Sequence, residues 1–352
     1  MRTILLISAI ILRAGVADAW IGISFGEDGN NLPSRTAVVQ KFKDLGVRHV
    51  RTYHTYSDTL RAFANSGIEL TVGITNEDFP TQLTTVGSAV AWANANIVPY
   101  SSSNIVAVTV GNEVFTSTSD GVIAQLLPSM QNLRQALNQL GKNSITVTTA
   151  HAFNVITDSF PPSSGRFADT YTSRMQPIVS WLSSTGSFFI ANVYPYFAYV
   201  GAGGQISLQY GRLEAGSVTD TGNGKIYTNL LAQQLDSVYA ALAKLGFPNL
   251  LVRVGEIGWP SAGGTAANVQ NAQIHNQNVV NLVRGGTPVK PNVQIDAYIF
   301  AMFNENQKPA GIEQNWGLYN PVGFQPVYTI NWSNNLDSLL VKNASESGRE
   351  EI

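Results

Sequence analysis

Glu113 and Glu256 are the residues on which this sequence can build a reaction. The first follows the apolar run 105–110 as Val110-Gly111-Asn112-Glu113, and the second follows the run 250–254 as Gly255-Glu256-Ile257-Gly258-Trp259-Pro260. A third acidic stretch, Asn304-Glu305-Asn306, closes the run 295–303. Cleaving an acetal needs one carboxyl group to protonate the leaving oxygen and another to attack carbon or activate water. Taken singly, a glutamate after a strand is more often a helix cap or a surface charge. Two of them, each after an apolar strand and each beside glycine, make the chemical reading the stronger one. The indole of Trp259 adds a candidate platform for the C–H face of a sugar ring, and Tyr53, Tyr194, Phe197 and Trp316 also follow strand ends.

Other motifs lack the context they need. Gly22-Ile23-Ser24-Phe25-Gly26 matches a G-x-S-x-G nucleophile elbow in letters, but it opens the first strand with no sheet before it to supply an oxyanion loop. His49, His54, His151 and His275 show neither H-x-H nor H-E-x-x-H spacing, and the chain has no cysteine, so no metal site and no cofactor is expected. Gly201-Ala202-Gly203-Gly204 has no strand-to-helix setting for a dinucleotide.

The elements that must position the glutamates are short apolar runs at 20–25, 47–53, 68–74, 105–110, 145–149, 188–193, 250–254 and 295–303. Within 105–110 both odd and even positions are apolar or threonine, as in a parallel strand covered on both faces. Helical stretches at 34–45, 59–65, 90–98, 126–140, 229–245 and 266–283 alternate with them, several ending at glycine. Eight alternating units predict an α/β fold of the (β/α)₈ TIM-barrel type in one domain, 20–332, with residues 198–224 as an elaborated loop after the sixth strand. Residues just past the strand ends then line the active site, which is where both glutamates fall.

Residues 1–19 read as a signal peptide, with Arg2, an apolar run and the small-x-small ending Ala17-Asp18-Ala19. Removing them takes the net charge from −2 to −3, because they hold two arginines and one aspartate. So weak a charge, with 12% charged residues against about 25% in average soluble proteins, argues against nucleic acid and suits a neutral hydroxylated substrate. No later run has the length of a membrane span, so a secreted monomer without a membrane anchor is expected. Asn331-Trp332-Ser333 and Asn343-Ala344-Ser345 are candidate glycosylation sequons, the second within a polar tail, 333–352.

At its motifs the chain resembles glycoside hydrolase family 17, the plant β-1,3-glucanase family. The marks are Gly29-Asn30-Asn31-Leu32-Pro33-Ser34, Val110-Gly111-Asn112-Glu113-Val114, Asn192-Val193-Tyr194-Pro195-Tyr196-Phe197, Glu256-Ile257-Gly258-Trp259-Pro260-Ser261 and Phe300-Ala301-Met302-Phe303-Asn304-Glu305-Asn306, in that order. The resemblance implies an endo-acting, retaining hydrolase of β-1,3-glucan, with Glu113 as acid/base and Glu256 as nucleophile. It implies that Asn112 holds the sugar's 2-hydroxyl and that Glu305, Lys308 and Glu313 form a charged network supporting the nucleophile. Tyr53, Tyr194, Phe197 and Trp316 fall at cleft positions of the family, and the polar tail resembles the removable vacuolar-sorting extension of some plant members. Cell wall and vacuole therefore both stand as destinations. Gly255 and Ile257 depart from the serines usual beside the nucleophile, and His54 departs from an acidic or amide residue. Two alternatives stay open: a mixed-linkage 1,3-1,4-glucan hydrolase, which shares the catalytic pair and differs in subsite shape, and a non-catalytic glucan-binding wall protein, for which the altered neighbours of Glu256 are the only motive.

Overall fold

The computed structural model describes residues 19–332; the expected leader up to Asp18, and the tail 333–352 with Asn343, lie outside the described residues. Eight parallel strands close a barrel: β1 (Ile21–Phe25), β2 (His49–Thr52), β3 (Glu69–Ile74), β4 (Ile105–Asn112), β5 (Thr146–Ala152), β6 (Phe189–Asn192), β7 (Val252–Ile257) and β8 (Ala297–Ile299). Each neighbours its successor in sequence, and β8 pairs with β1 through Ile21–Ala297 and Ile23–Ile299. Each of the eight apolar runs supplies one strand.

The strands are apolar on both faces because each face is covered. Val108 and Val110 of β4 belong to the main core, whereas Ala107 packs with Ala150, Phe188 and Ile190 in a separate small cluster. Higher in the barrel the residues turn polar: Arg51, Asn192 and Glu256 are all buried. Taking charged groups out of water is costly unless they are paired, so this concentration of polarity marks the end where chemistry sits.

The helices follow the expected alternation with two differences. Helix Asp120–Gln139 starts well before 126, and helix Asp169–Ser184 was not expected; both carry an internal proline, Pro128 and Pro177. Proline removes a backbone donor and is ordinarily a helix boundary, so packing overrode the local signal here. After β8 the described residues form 3-10 turns and the hairpin Tyr319–Asn320/Gln325–Pro326 rather than an eighth helix.

The expected loop after β6 is a small structured layer. It contains helices Pro195–Gly201 and Leu208–Gly211 and the hairpin Val218–Thr219/Ile226–Tyr227. A second hairpin, Ile156–Thr157/Arg166–Phe167, follows β5, and the two insertions meet where Ser163 donates its N–H and its hydroxyl to Asp220, both at 2.7 Å. Between these insertions and the barrel lies helix Leu230–Lys244, buried along most of its length, including the polar Gln233, Gln234 and Asp236.

Candidate active site

Arg51, inside β2, is fully buried and organises the mouth of the barrel. Its Nη1 donates to Glu256 Oε1 at 3.1 Å, to Gly255 O at 2.9 Å and to Asn192 Oδ1 at 3.2 Å, while Nη2 donates to Asn112 Oδ1 at 2.8 Å. Burial works against the guanidinium charge, but Tyr53, Glu256 and other neighbours outweigh it and its pKa ends above the ordinary value. Two phenols complete the grip on Glu256: Tyr53 donates to Oε1 at 2.9 Å and Tyr194 to Oε2 at 2.7 Å. Burial, reinforced by the charge of Glu256, pushes both phenol pKa values well above 10, so both remain hydrogen-bond donors at any working pH. A carboxyl group that faces three donors, one of them a cation, is fixed in orientation.

The backbone around Glu256 explains its neighbours. The pairing of β7 slips between Val254 and Glu256 on the β6 side and between Val254 and Ile257 on the β8 side, and such bulges re-aim side chains beside active sites. At Gly255 a Cβ would collide first with Ile190 Cγ2 and then stand 2.6 Å from Asn192 Oδ1 and 2.8 Å from Arg51 Nη1, so glycine leaves room beside the strand for all three side chains, the arginine among them. Ile257 is buried in the core.

Glu113 is held differently. The pairing of β4 with β5 also slips, between Thr109 and Asn112; Gly111 has φ 68° and Glu113 φ 54°. A left-handed glutamate is a strained position that the surrounding bonds must enforce. Asn76 clamps the preceding residue, accepting from Asn112 N at 2.9 Å and donating to Asn112 O at 2.8 Å. The carboxylate takes one side-chain hydrogen bond, from Asn192 Nδ2 at 2.8 Å. Its pKa is raised, first by burial and second by the charge of Glu256, against the lowering effects of Asn192 and Arg51. The charge of Glu256 thus acts on Glu113, but second to desolvation.

Asn112 Oδ1 accepts from both Arg51 and Asn192, which leaves its NH₂ group as the donor it can offer a sugar hydroxyl. Tyr53, His54, Asn76 and Asn112 line a recess of about 290 Å³ that reaches Glu113; His54 stacks on Tyr56 at 4.5 Å and 11°. On the other side of Glu113 a larger cavity of about 680 Å³ is lined by Glu256, Glu313, Tyr194, Phe197, Phe300 and Trp316 among others. Phe197 is 46% exposed, an aromatic face open to ligand. Trp316 is nearly buried and packs against Tyr194 at 5.1 Å.

Two expectations need correction. Trp259 is no sugar platform: it is 0% exposed, its indole N–H donates to Ala266 O at 2.9 Å, and its ring contacts are to Tyr196, Tyr199 and His275. The chain turns away from the cleft after β7, with Gly258 passing close to Phe300, and the indole is carried behind the wall it supports. The charged network is also not one unit. Lys308 pairs with Glu305 at 2.9 Å, and Glu305 accepts from Asp28 N at 2.8 Å. Glu313 stands on the cavity wall, and among the described residues no hydrogen bond or ion pair joins it to that pair. The link from Lys308 to Glu256 is indirect: its ammonium lies 4.4 Å from the centre of the Phe300 ring, which packs edge-on against Tyr53 and Tyr194.

Arg51 and Asn76 fall outside every motif read from the sequence, and Asn192 and Phe300 open two of the quoted motifs without having been given a role. Arg51 shares the run 47–53 with a second cation, Arg48, so the sequence does not set it apart.

With this geometry in hand, similarity to known proteins is informative. The model of the family described as glycosyl hydrolases family 17 matches residues 21–332. Glucan endo-1,3-beta-glucosidase GII of Hordeum vulgare is 43% identical over 313 residues, covering 88% of this chain and 91% of that protein. Lichenase-2 of the same species is 37% identical, covering 89% and 98%. Among solved structures, a beta-1,3-glucanase and allergen of Cryptomeria japonica pollen superposes with a TM-score of 0.85 at 41% identity, covering 89% of this chain and 99% of the other.

Proposed function

The chain belongs to glycosyl hydrolases family 17, and from that premise we propose that it cuts internal β-1,3-glucosidic bonds of β-1,3-glucans with retention, Glu256 acting as nucleophile and Glu113 as acid and then base. The observation that carries this reading is the asymmetry of the two carboxyl groups. Glu256 faces three donors, whereas Glu113 is desolvated and its proton is favoured. In the first step Glu256 attacks the anomeric carbon as the bond to the leaving oxygen breaks and Glu113 gives that oxygen its proton. In the second, Glu113 takes a proton from water, the water oxygen attacks the same carbon, and the ester bond to Glu256 breaks. Asn112, its oxygen committed to Arg51 and Asn192, supplies an N–H for the 2-hydroxyl of the sugar being transferred.

The non-catalytic alternative rested on Gly255 and Ile257. Gly255 accommodates Arg51 and Ile257 fills the core, so neither departure loosens the nucleophile. The mixed-linkage alternative keeps some support, since Lichenase-2 resembles this chain nearly as well as the glucan endo-1,3-beta-glucosidases do. Initial rates on laminarin and on cereal 1,3-1,4-β-glucan decide between them: the faster rate is expected on laminarin, and a faster rate on the cereal glucan overturns the linkage assignment.

Secretion, to the cell wall or the vacuole, is supported by the leader-like residues 1–19 and by the exposed Asn331 of the first sequon. Among the described residues no helix is long and apolar enough to cross a membrane. The native protein is expected to begin at Trp20; an amino terminus at Met1 would contradict the leader.

A further inference from the structure

Beside the catalytic cavity lies a second one of about 520 Å³, roofed by the layer that follows β6 and floored by the first turns of helix Leu230–Lys244. Phe153, Ser159, Ala198 and Gln234 line both, so the two adjoin. Its volume is within the range of about 300–1,000 Å³ typical of small-molecule sites. None of the residues lining it is charged, although the neighbouring cavity holds three glutamates. A neutral ligand is what such a wall admits without desolvation cost.

The polar groups in it are built rather than incidental. Gln234 is 5% exposed, lies in the shared wall, and its amide oxygen has no hydrogen-bond partner. A buried amide left incomplete in this way costs free energy unless a ligand or water completes it. Next to it Gln233 accepts from the Tyr210 hydroxyl at 2.7 Å, which fixes its amide and leaves its NH₂ group as a donor. Carboxamides paired with a nearby aromatic face form a set that recognises a sugar ring, with hydroxyls to the amides and C–H groups to the ring. The aromatic is present at the rim: Phe160 is 67% exposed, more than any other phenylalanine or tyrosine among the exposed large hydrophobic residues.

Because the chamber and the cleft share Phe153, Ser159, Ala198 and Gln234, a ligand in the chamber lies close enough to the cleft to be carried on the chain being cut. A 1,3-linked glucose unit uses C1 and C3 for the chain, and of its remaining hydroxyls only that on C6 is borne on an exocyclic carbon that can swing a substituent away from the backbone. We propose that this chamber is a second saccharide site, which takes a glucosyl branch carried on the 6-hydroxyl of a glucan lying in the catalytic cleft. The inference rests on the proposed glucan hydrolysis and adds a specificity to it: the enzyme accepts a branch close to the bond it cuts.

The test compares a linear β-1,3-gluco-oligosaccharide with the same oligosaccharide bearing one 6-O-β-glucosyl branch. Wild-type protein cuts the branched compound at least as efficiently, at one bond fixed relative to the branch. Ala202→Trp and Ser217→Trp fill the chamber from positions that do not line the catalytic cavity, and Ser217 is exposed enough that its variant keeps the fold. Each lowers kcat/KM on the branched compound by about tenfold or more while the linear value stays within about twofold. Cuts only away from the branch, unchanged branched rates in both variants, or equal losses on both compounds would overturn the assignment. Failure of wild-type protein to cut the linear compound would instead overturn the proposed hydrolysis itself.

Discussion

Glu256 and Glu113 stand on one rim, the first bonded to Arg51 and the second to Asn192, which are bonded to each other, yet the protein treats the two in opposite ways. Around Glu256 it spends a buried arginine, two tyrosines and a glycine at 255, so that the carboxylate is oriented and fully hydrogen-bonded. Around Glu113 it supplies a left-handed backbone, burial and one side-chain amide, so that the carboxyl group is desolvated and its pKa raised. The first arrangement suits a group that must meet a carbon atom along a fixed line. The second suits a group that must give up a proton and later take one back. Two identical side chains thus acquire different chemistry from their surroundings alone.

The largest effect that tests this difference comes from removing each carboxylate in turn. Glu256→Gln should lower turnover by roughly 10⁴-fold or more on every substrate, because no other group can form the covalent intermediate. Glu113→Gln should cost roughly 10²–10⁴-fold on laminarin. It should cost far less in the first turnover of an aryl β-glycoside whose leaving group departs without a proton. Equal losses for the two variants on the aryl substrate would erase the distinction.

Arg51 comes next. Arg51→Met leaves Glu256 buried without its cation, and breaking a buried pair of this kind typically costs ~3–5 kcal/mol, so both melting temperature and kcat should fall. Lysine should not rescue it, since one ammonium cannot bond Asn112, Asn192, Gly255 and Glu256 together. Full activity in Arg51→Lys would show that charge alone suffices. A smaller loss, about 1–3 kcal/mol of stability with a matching fall in kcat, is expected for Gly255→Ser, because the new Cβ meets Ile190, Asn192 and Arg51. An unchanged melting temperature would show that the arginine can move aside.

The smallest effect concerns Glu113. Its amide bond from Asn192 favours the ionised form and opposes burial, so Asn192→Ala should raise the Glu113 pKa further. As the acid it works while protonated, so the alkaline limb of the pH–rate profile should move to higher pH, by about a unit or less. A shift toward lower pH would mean that the amide acts on the neutral form.

How much of this was legible in the sequence depends on the physical origin of each feature. The eight strands were, because parallel barrel strands are covered on both faces and read as apolar runs. Glu113 and Glu256 were, because strand ends in a barrel converge on one face. Arg51 was not, since its value lies in reaching four residues distant in sequence, and within Val50-Arg51-Thr52 it reads as an interruption of a strand. Trp259 was misread because a residue past a strand end belongs to the cleft only if the chain continues along it, and here the chain turns behind the wall. Helix Asp169–Ser184 was hidden by Pro177, whose missing N–H is a stop signal when neighbours in space are unknown.

The central claim is that Glu256 forms the bond to sugar and Glu113 moves the proton. The most direct test is to incubate the protein with an activated 2-fluoro glycoside of laminaribiose, which forms the glycosyl-enzyme quickly and releases it slowly, and to map the adduct by peptide mass spectrometry. The adduct is expected on Glu256, with Glu113 unmodified; a sugar attached to Glu113, or inactivation without any attached sugar, would contradict the assignment.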